Sequence, residues 1–267
     1  MSKIDSVIYE IHTMDMLAER DQWVNRIHPL VKFVLTLFYI ILVVSFDKYN
    51  IIGLGGMMLY LIVMFTITEL SFRDSLKRMR VVLPLVCFVG IFNPFFDKTA
   101  VFSLGTLTVT TGMISMLTLM MKGIFSVLAS YLLIATTGIE KICYAMRLLH
   151  IPSILVTQVL LTYRYITVLL KEANRMTQAY ALRAPHQKGV HYKVWGSLAG
   201  QLLLRSMDRA GEVYESMCLR GYKGEFYYKD RIKCRRKDYL YLIVWGVILM
   251  FLRLVPVMAV VGNLVTR

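Results

Sequence analysis

Five apolar runs divide the chain: Leu30–Phe46, Ile51–Ile67, Val81–Phe96, Thr111–Thr136 and Tyr239–Val261. Each comes near the length that a helix needs to cross the hydrocarbon of a bilayer. Short polar breaks separate the first four. They are DKYN at 47–50, the basic stretch 71–80, and the Thr-, Ser- and Gly-rich stretch 97–110. Pro84 and the pair Asn93-Pro94 predict a kinked or broken third helix. Between the fourth and last runs, residues 137–238 hold 18 Lys/Arg and 8 Asp/Glu and lose the apolar pattern. The pattern predicts an all-α integral membrane protein. It has about five transmembrane helices and a block of amphipathic helices between the fourth and last spans. The expected segments are 1–29, a four-span domain 30–136, the block 137–238, and a last span with its tail, 239–267.

One stretch inside the block, Pro152–Leu170, is itself apolar. Arg164 sits well within it, and an arginine in mid-span costs several kcal/mol or more. The stretch therefore reads as an amphipathic helix on the membrane or packed within the protein.

Composition fits this picture, with 57% hydrophobic and 18% charged residues. The formal net charge is +14, which in a soluble domain would first suggest nucleic acid. Beside apolar spans it reads instead as positive-inside bias and contact with anionic membrane lipid. Lys48, Lys98 and Arg267 are the single basic residues of the three sparsely charged connections. The N-terminal segment, the 71–80 loop and the 137–238 block hold three, four and 18 Lys/Arg, and with five spans these fall together on the cytoplasmic side. Residues 1–29 contain no apolar signal core, so no cleavable signal peptide is expected.

Candidate chemistry is sparse. No GxxxxGK[ST] or HExxH motif is present. Cys87, Cys143, Cys218 and Cys234 form no CxxC pair and read as small apolar residues. Loop histidines His186 and His191 lack nearby acids or thiols and read as solvated, so no metal, cofactor or catalytic residue is expected. No Asp, Glu or His lies mid-span, which argues against proton coupling and intramembrane hydrolysis. Two cations do: Lys122 and Arg253. Each reads either as a buried polar or lining contact, or as a side chain snorkelling from a tilted helix. Lys32, at the edge of the first run, reads as snorkelling.

The block also carries a weak internal repeat. Lys171–Pro185 (KEANRMTQAYALRAP) aligns with Asp208–Tyr222 (DRAGEVYESMCLRGY), pairing Ala173 with Ala210, Leu182 with Leu219 and Arg183 with Arg220. Both copies read as helices that stop right after the arginine, one at Pro185 and one at Gly221. Met207, Ala210, Gly211, Tyr214, Met217 and Cys218 form a stripe at helical spacing, suited to close helix contact. A lone arginine at a helix C-terminus is explained by the macrodipole. Two at matching positions suggest twin docking points, since a guanidinium on a helix tip can pair bidentately with a partner's carboxylate.

These residues resemble the transmembrane coupling (T) component of energy-coupling factor (ECF) transporters. In that family two cytoplasmic coupling helices each end in a short arginine motif. The matching positions are Leu182-Arg183-Ala184 and Leu219-Arg220-Gly221. Thr136-Thr137, Ile151-Pro152, Tyr163-Arg164-Tyr165 and Glu172 resemble the family's core block. His28-Pro29-Leu30-Val31-Lys32 resembles its Asp-Pro-Arg-x-Lys helix start, with Leu30 in place of the arginine. Residues 218–226 are similar to the cobalt-type branch, CbiQ.

The resemblance implies a non-catalytic coupling subunit of an ATP-driven importer. Its expected partners are two ABC-type ATPase subunits, which dock on the arginine tips, and a substrate-binding membrane subunit. Cobalt is the expected cargo, with a vitamin-type shared T component as the alternative. A membrane enzyme and a membrane-tethered nucleic-acid binder are the rivals from other classes.

Overall fold

A computed structural model describes residues 3–72, 75, 84, 88, 100–104, 107–184, 189–224 and 234–254. The chain forms two compact units, one of Met1–Leu17 with Ile139–Arg231, the other of Ala18–Gly138 with Ile232–Arg267. Helices α1 (Lys3–Glu19), α5 (Ile139–Leu148), α6 (Ser153–Arg183) and α7 (Tyr192–Leu219) make up most of the first. The second holds α2 (Pro29–Val44), α3 (Ile51–Ile67), α4 (Thr111–Thr137) and α8 (Arg236–Leu254).

Four of the five apolar runs thus become helices of the second unit. The third run lies outside the described residues except for Pro84 and Phe88, which are helical. The all-α expectation is amended by one short antiparallel hairpin in the polar stretch, β1 (Ala100–Leu104) with β2 (Leu107–Thr110). Its strands, AVFSL and LTVT, carry β-branched residues that favour extended backbone.

Local sequence sets where the bundle helices begin. His28 caps α2: its Nδ1 accepts from the Leu30 N–H at 3.2 Å, and Pro29 follows in the first turn. Asn50 caps α3, its Oδ1 accepting from the Gly53 N–H at 2.9 Å. Asp238, three residues into the start of α8, accepts back from the Arg235 N–H at 2.8 Å, half of a capping box. The other oxygen of this buried carboxylate accepts from the His28 N–H at 3.4 Å, tying the starts of α2 and α8 together.

Helices α2 and α3 each pack against both α4 and α8. Aromatic rings run through this core. Tyr39 of α2 lies 4.7 Å from Tyr60 of α3, which meets Trp245 of α8 edge-on at 5.1 Å. Tyr241 continues the series to Trp23 at 5.9 Å. Such pairs add about 0.5–1.5 kcal/mol each beyond area burial. The Tyr39 hydroxyl is satisfied by donating to the Met57 carbonyl at 3.1 Å, so the ring can be fully buried.

The contacts also fix direction. Asp238 sits at the start of α2 and Arg253 at its end, so α8 runs parallel to α2. Lys32 reaches Thr136 while Lys122 reaches Val44, so α4 runs antiparallel to α2. Tyr241 meets Met64, which makes α3 antiparallel to α8.

Three cations serve helix ends: Lys122 and Arg253 make polar contacts, one of the two roles expected of them, whereas Lys32 departs from its expected place. Lys32 does not snorkel. It is buried, and its Nζ donates to the Thr136 carbonyl at the end of α4, at 2.8 Å. Lys122 donates to the carbonyls of Val44, at 3.0 Å, and Phe46. Arg253 donates to the Ser45 carbonyl between them at 2.9 Å and lies over the Phe46 ring, 3.9 Å from its centroid. The last carbonyls of a helix have no intrahelical donor and carry the negative end of its dipole. Cations are therefore their natural partners.

By length and composition, α4 and α6 are the two helices among the described residues able to cross a membrane. Helices α2 and α3 are equally apolar but have 16 and 17 residues. At 1.5 Å per residue they span about 24–26 Å, a little less than a typical bilayer core of about 30 Å.

Candidate docking site

The first unit is built from α5, α6 and α7, with α1 laid along α6. Helix α5 ends in a Schellman motif. The Ile151 N–H donates to the Met146 carbonyl and the His150 N–H to that of Arg147, with His150 left-handed at φ 60°. Pro152 then caps α6, which runs unbroken for 31 residues to Arg183. The apolar stretch 152–170 and the first repeat copy are therefore one helix. The second copy likewise belongs to a 28-residue helix that starts at Tyr192.

Helices α6 and α7 pair antiparallel. Arg205 of α7 reaches Glu172 of α6, and Arg209 to Tyr222 lie beside Leu161 to Tyr165. The two arginine tips consequently point to opposite ends of the pair. Arg220 lines one cleft with Arg164, 19 positions before Arg183 on α6, or about 29 Å along the helix at 1.5 Å per residue.

Both tips are open. Arg183 and Arg220 are exposed, and the leucines before them, Leu182 and Leu219, are 84% and 90% exposed. A leucine with so much free surface at each tip is an apolar contact in waiting beside a guanidinium. Ala184 is the C-cap of α6, its N–H donating to Tyr180 at 3.0 Å, and Pro185 lies outside the described residues. The α7 tip is a full Schellman motif with Arg220 as its cap. The Gly221 N–H donates to the Cys218 carbonyl at 2.9 Å and the Tyr222 N–H to Met217 at 3.0 Å. Gly221 has φ 83°, a conformation that costs a side-chain-bearing residue.

The small-residue stripe divides between two roles. Met207, Ala210, Gly211, Tyr214 and Cys218 are exposed, while Met217 is half-buried against α6 with Val213. No residue of α7 is fully buried. A hydrogen bond with Cys218 raises the Tyr214 phenol above its ordinary range. Cys143 is buried, and burial pushes its thiol up, as suits a small apolar residue, whereas Cys218 is exposed. His191 caps α7, its Nδ1 accepting from the Lys193 N–H at 3.3 Å. His186 lies outside the described residues. Among the described residues no group of three His, Cys, Asp or Glu could hold a metal.

The step Tyr163-Arg164-Tyr165 faces two ways. The Tyr163 hydroxyl donates to Asp15 of α1 at 2.5 Å, and further along α6 Asn174 donates to Asp5 at 3.0 Å. Arg164 and Tyr165 line a cleft of about 500 Å³ with Arg209, Glu212 and Arg220 of α7. Sequence reasoning missed this cleft. Arg209 was legible as eleven residues, three helical turns, before Arg220 and so on its face. Arg164 was not, because its proximity arises only from the antiparallel pairing.

Comparison with known proteins places these features in a lineage. An uncharacterized protein of Methanocaldococcus jannaschii is 26% identical over 189 residues, covering 66% of this chain and 64% of that protein. The nickel permease LarQ of Lactiplantibacillus plantarum is 28% identical over 114 residues, 41% of this chain and 42% of LarQ. The energy-coupling factor transporter transmembrane protein EcfT of Listeria innocua is 25% identical over 224 residues, 76% of this chain and 82% of EcfT. The chain thus spans about two thirds of the first of these relatives and less than half of the second. The family described as cobalt transport protein, CbiQ, matches residues 20–229, which takes in both arginine tips and most of the bundle. With most of its length covered by that match, the chain belongs to the CbiQ cobalt transport protein family.

Proposed function

We propose that this chain is the transmembrane coupling subunit of an ATP-driven ECF importer. Two exposed Leu-Arg tips at opposite ends of one antiparallel helix pair carry the reading. A spacing of about 29 Å along α6 suits engagement of two separate ATPase subunits, one per tip. Their ATP-driven movement would pull on both ends of the pair and reorient a substrate-binding membrane subunit.

The bundle of α2, α3, α4 and α8 would sit in the membrane, with the start of α2 and the 137–238 block on the cytoplasmic side. The end of α3 lies near the start of α2, whereas α4 begins at the far end of the bundle. That directionality supports a third span at 81–96 and hence five in all. Cobalt is the cargo this reading favours, and the relative named as a nickel permease extends the class to nickel. A second reading, a vitamin-type T component shared among several substrate-binding subunits, draws on the 224-residue similarity to EcfT.

Affinity purification from native membranes with mass spectrometry tests both. Two ABC-type ATPases with one metal-type binding subunit would support the first reading, and several alternative binding subunits the second. Recovery without any ATPase would remove both.

A further inference from the structure

The two tips are not equivalent. Beside Arg220 the cleft gathers three guanidiniums, Arg164, Arg209 and Arg220, against one carboxylate, Glu212. Glu212 is already taken by Arg209 of its own helix, at 3.1 Å. Among the described residues neither Arg164 nor Arg220 pairs with a carboxylate. Leu161, Val213 and Met217 add apolar lining to the cleft, as do Tyr165 and Tyr222. Arg183, about 29 Å further along α6, has no part in this cluster.

We infer that the cleft is an acidic-side-chain receptor, in which Arg164 and Arg209 join Arg220 in gripping a carboxylate-bearing segment of one ATPase subunit. This rests on the coupling-subunit reading and goes beyond it by making the Arg220 tip the stronger of two unequal docking points. Two free guanidiniums facing one space hold an unbalanced charge that an incoming Asp or Glu neutralises, and each offers a planar fork for bidentate pairing. Glu212 favours a partner that brings a localised carboxylate over a diffuse polyanion, because it repels any anion not held directly on the arginines. The cleft is continuous with the exposed tip, so one partner surface can cover both. Arg164 comes from α6 and Arg209 and Arg220 from α7. The grip therefore also pins the two helices together at the end where the partner pulls.

The test uses the full chain with its ATPase subunits, in nanodiscs of phosphatidylcholine alone and with added phosphatidylglycerol. Arg164→Gln with Arg209→Gln should weaken ATPase association about tenfold or more in both lipids and flatten its dependence on salt. In an Arg220→Glu background the same pair should have little further effect. In an Arg183→Glu background, where the remaining tip carries the complex, it should abolish association. Parental affinity in the double variant would overturn the inference. So would a loss confined to phosphatidylglycerol nanodiscs, which would assign the cleft to anionic lipid. If Arg220→Glu itself leaves ATPase association intact, the coupling reading fails. If Arg220→Glu weakens it and the Arg164/Arg209 pair does nothing, only the cleft fails.

Discussion

Lys122, in the middle of α4, donates to the carbonyl of Val44, the last residue of α2, at 3.0 Å. With Arg253 on Ser45 it replaces the backbone donors that the end of α2 lacks. Hydrogen bonds to charged groups contribute roughly 1.5–3 kcal/mol. Lys122→Met and Arg253→Met should therefore each destabilise the bundle by about 1–3 kcal/mol, read as a lower unfolding midpoint in detergent. Uptake activity should persist while the bundle stays folded. Unchanged midpoints for both variants would show that the contacts contribute nothing.

The arginine tips make a separable prediction. Charge reversal at Arg183 or Arg220 should weaken ATPase co-purification, and the double reversal should abolish both co-purification and uptake. The protein should still reach the membrane in normal amounts, since both side chains are exposed. Normal uptake in the double variant would refute docking.

Gly221 tests whether tip shape matters apart from charge. Nothing lies within 4 Å of a methyl group built there, so Gly221→Ala meets no clash. It pays only for the left-handed φ of 83°, about 1 kcal/mol. That should fray the Schellman turn and swing Arg220 away, weakening ATPase binding with every charge retained. Gly221→Asn should be milder, because asparagine tolerates this conformation better. Equal binding by Gly, Asn and Ala would show that only the guanidinium counts.

Cys218, two residues before Arg220, supplies a chemical reporter. Being exposed, it should react rapidly with a polar maleimide, while buried Cys143 should stay unmodified. Bound ATPase should slow the Cys218 reaction, measured by peptide mass spectrometry. Equal rates with and without ATPase would place the partner elsewhere.

Helix α1 precedes the family match at residue 20, yet it is latched to α6 through Tyr163–Asp15 and Asn174–Asp5. Tyr163→Phe with Asn174→Ala should release it, raising its protease sensitivity and hydrogen exchange severalfold. No change in exchange over residues 3–17 would mean that packing alone holds α1.

The sequence made much of this legible. Helix positions in the bundle followed from apolar runs, because lipid-facing and core-facing sides of such helices are both apolar. The ends of α6 and α7 followed from Pro185 and Gly221, since helix stop signals are local. The roles of Lys32, Lys122 and Arg253 did not, because a lysine in an apolar run looks the same whether it snorkels or caps a helix over a hundred residues away. Nor did the hairpin at 100–110, where β-branched residues sat within a stretch rich in turn formers. The cleft of Arg164 and Arg209 depended on which faces two separate helices turn toward each other, and spacing along one helix cannot encode that.

The balance of the bundle's cations has a bearing on biogenesis. Lys32, Lys122 and Arg253 each donate to a backbone carbonyl at a helix end. The end of α2 thus receives its partners from α4 and α8, which emerge from the ribosome long after α2 itself. Until α8 is inserted, the Ser45 carbonyl lacks the guanidinium that meets it in the finished protein. Helix α8 therefore acts as the keystone of α2, made about two hundred residues earlier, and a chain truncated before residue 236 should be recognised and degraded as incomplete.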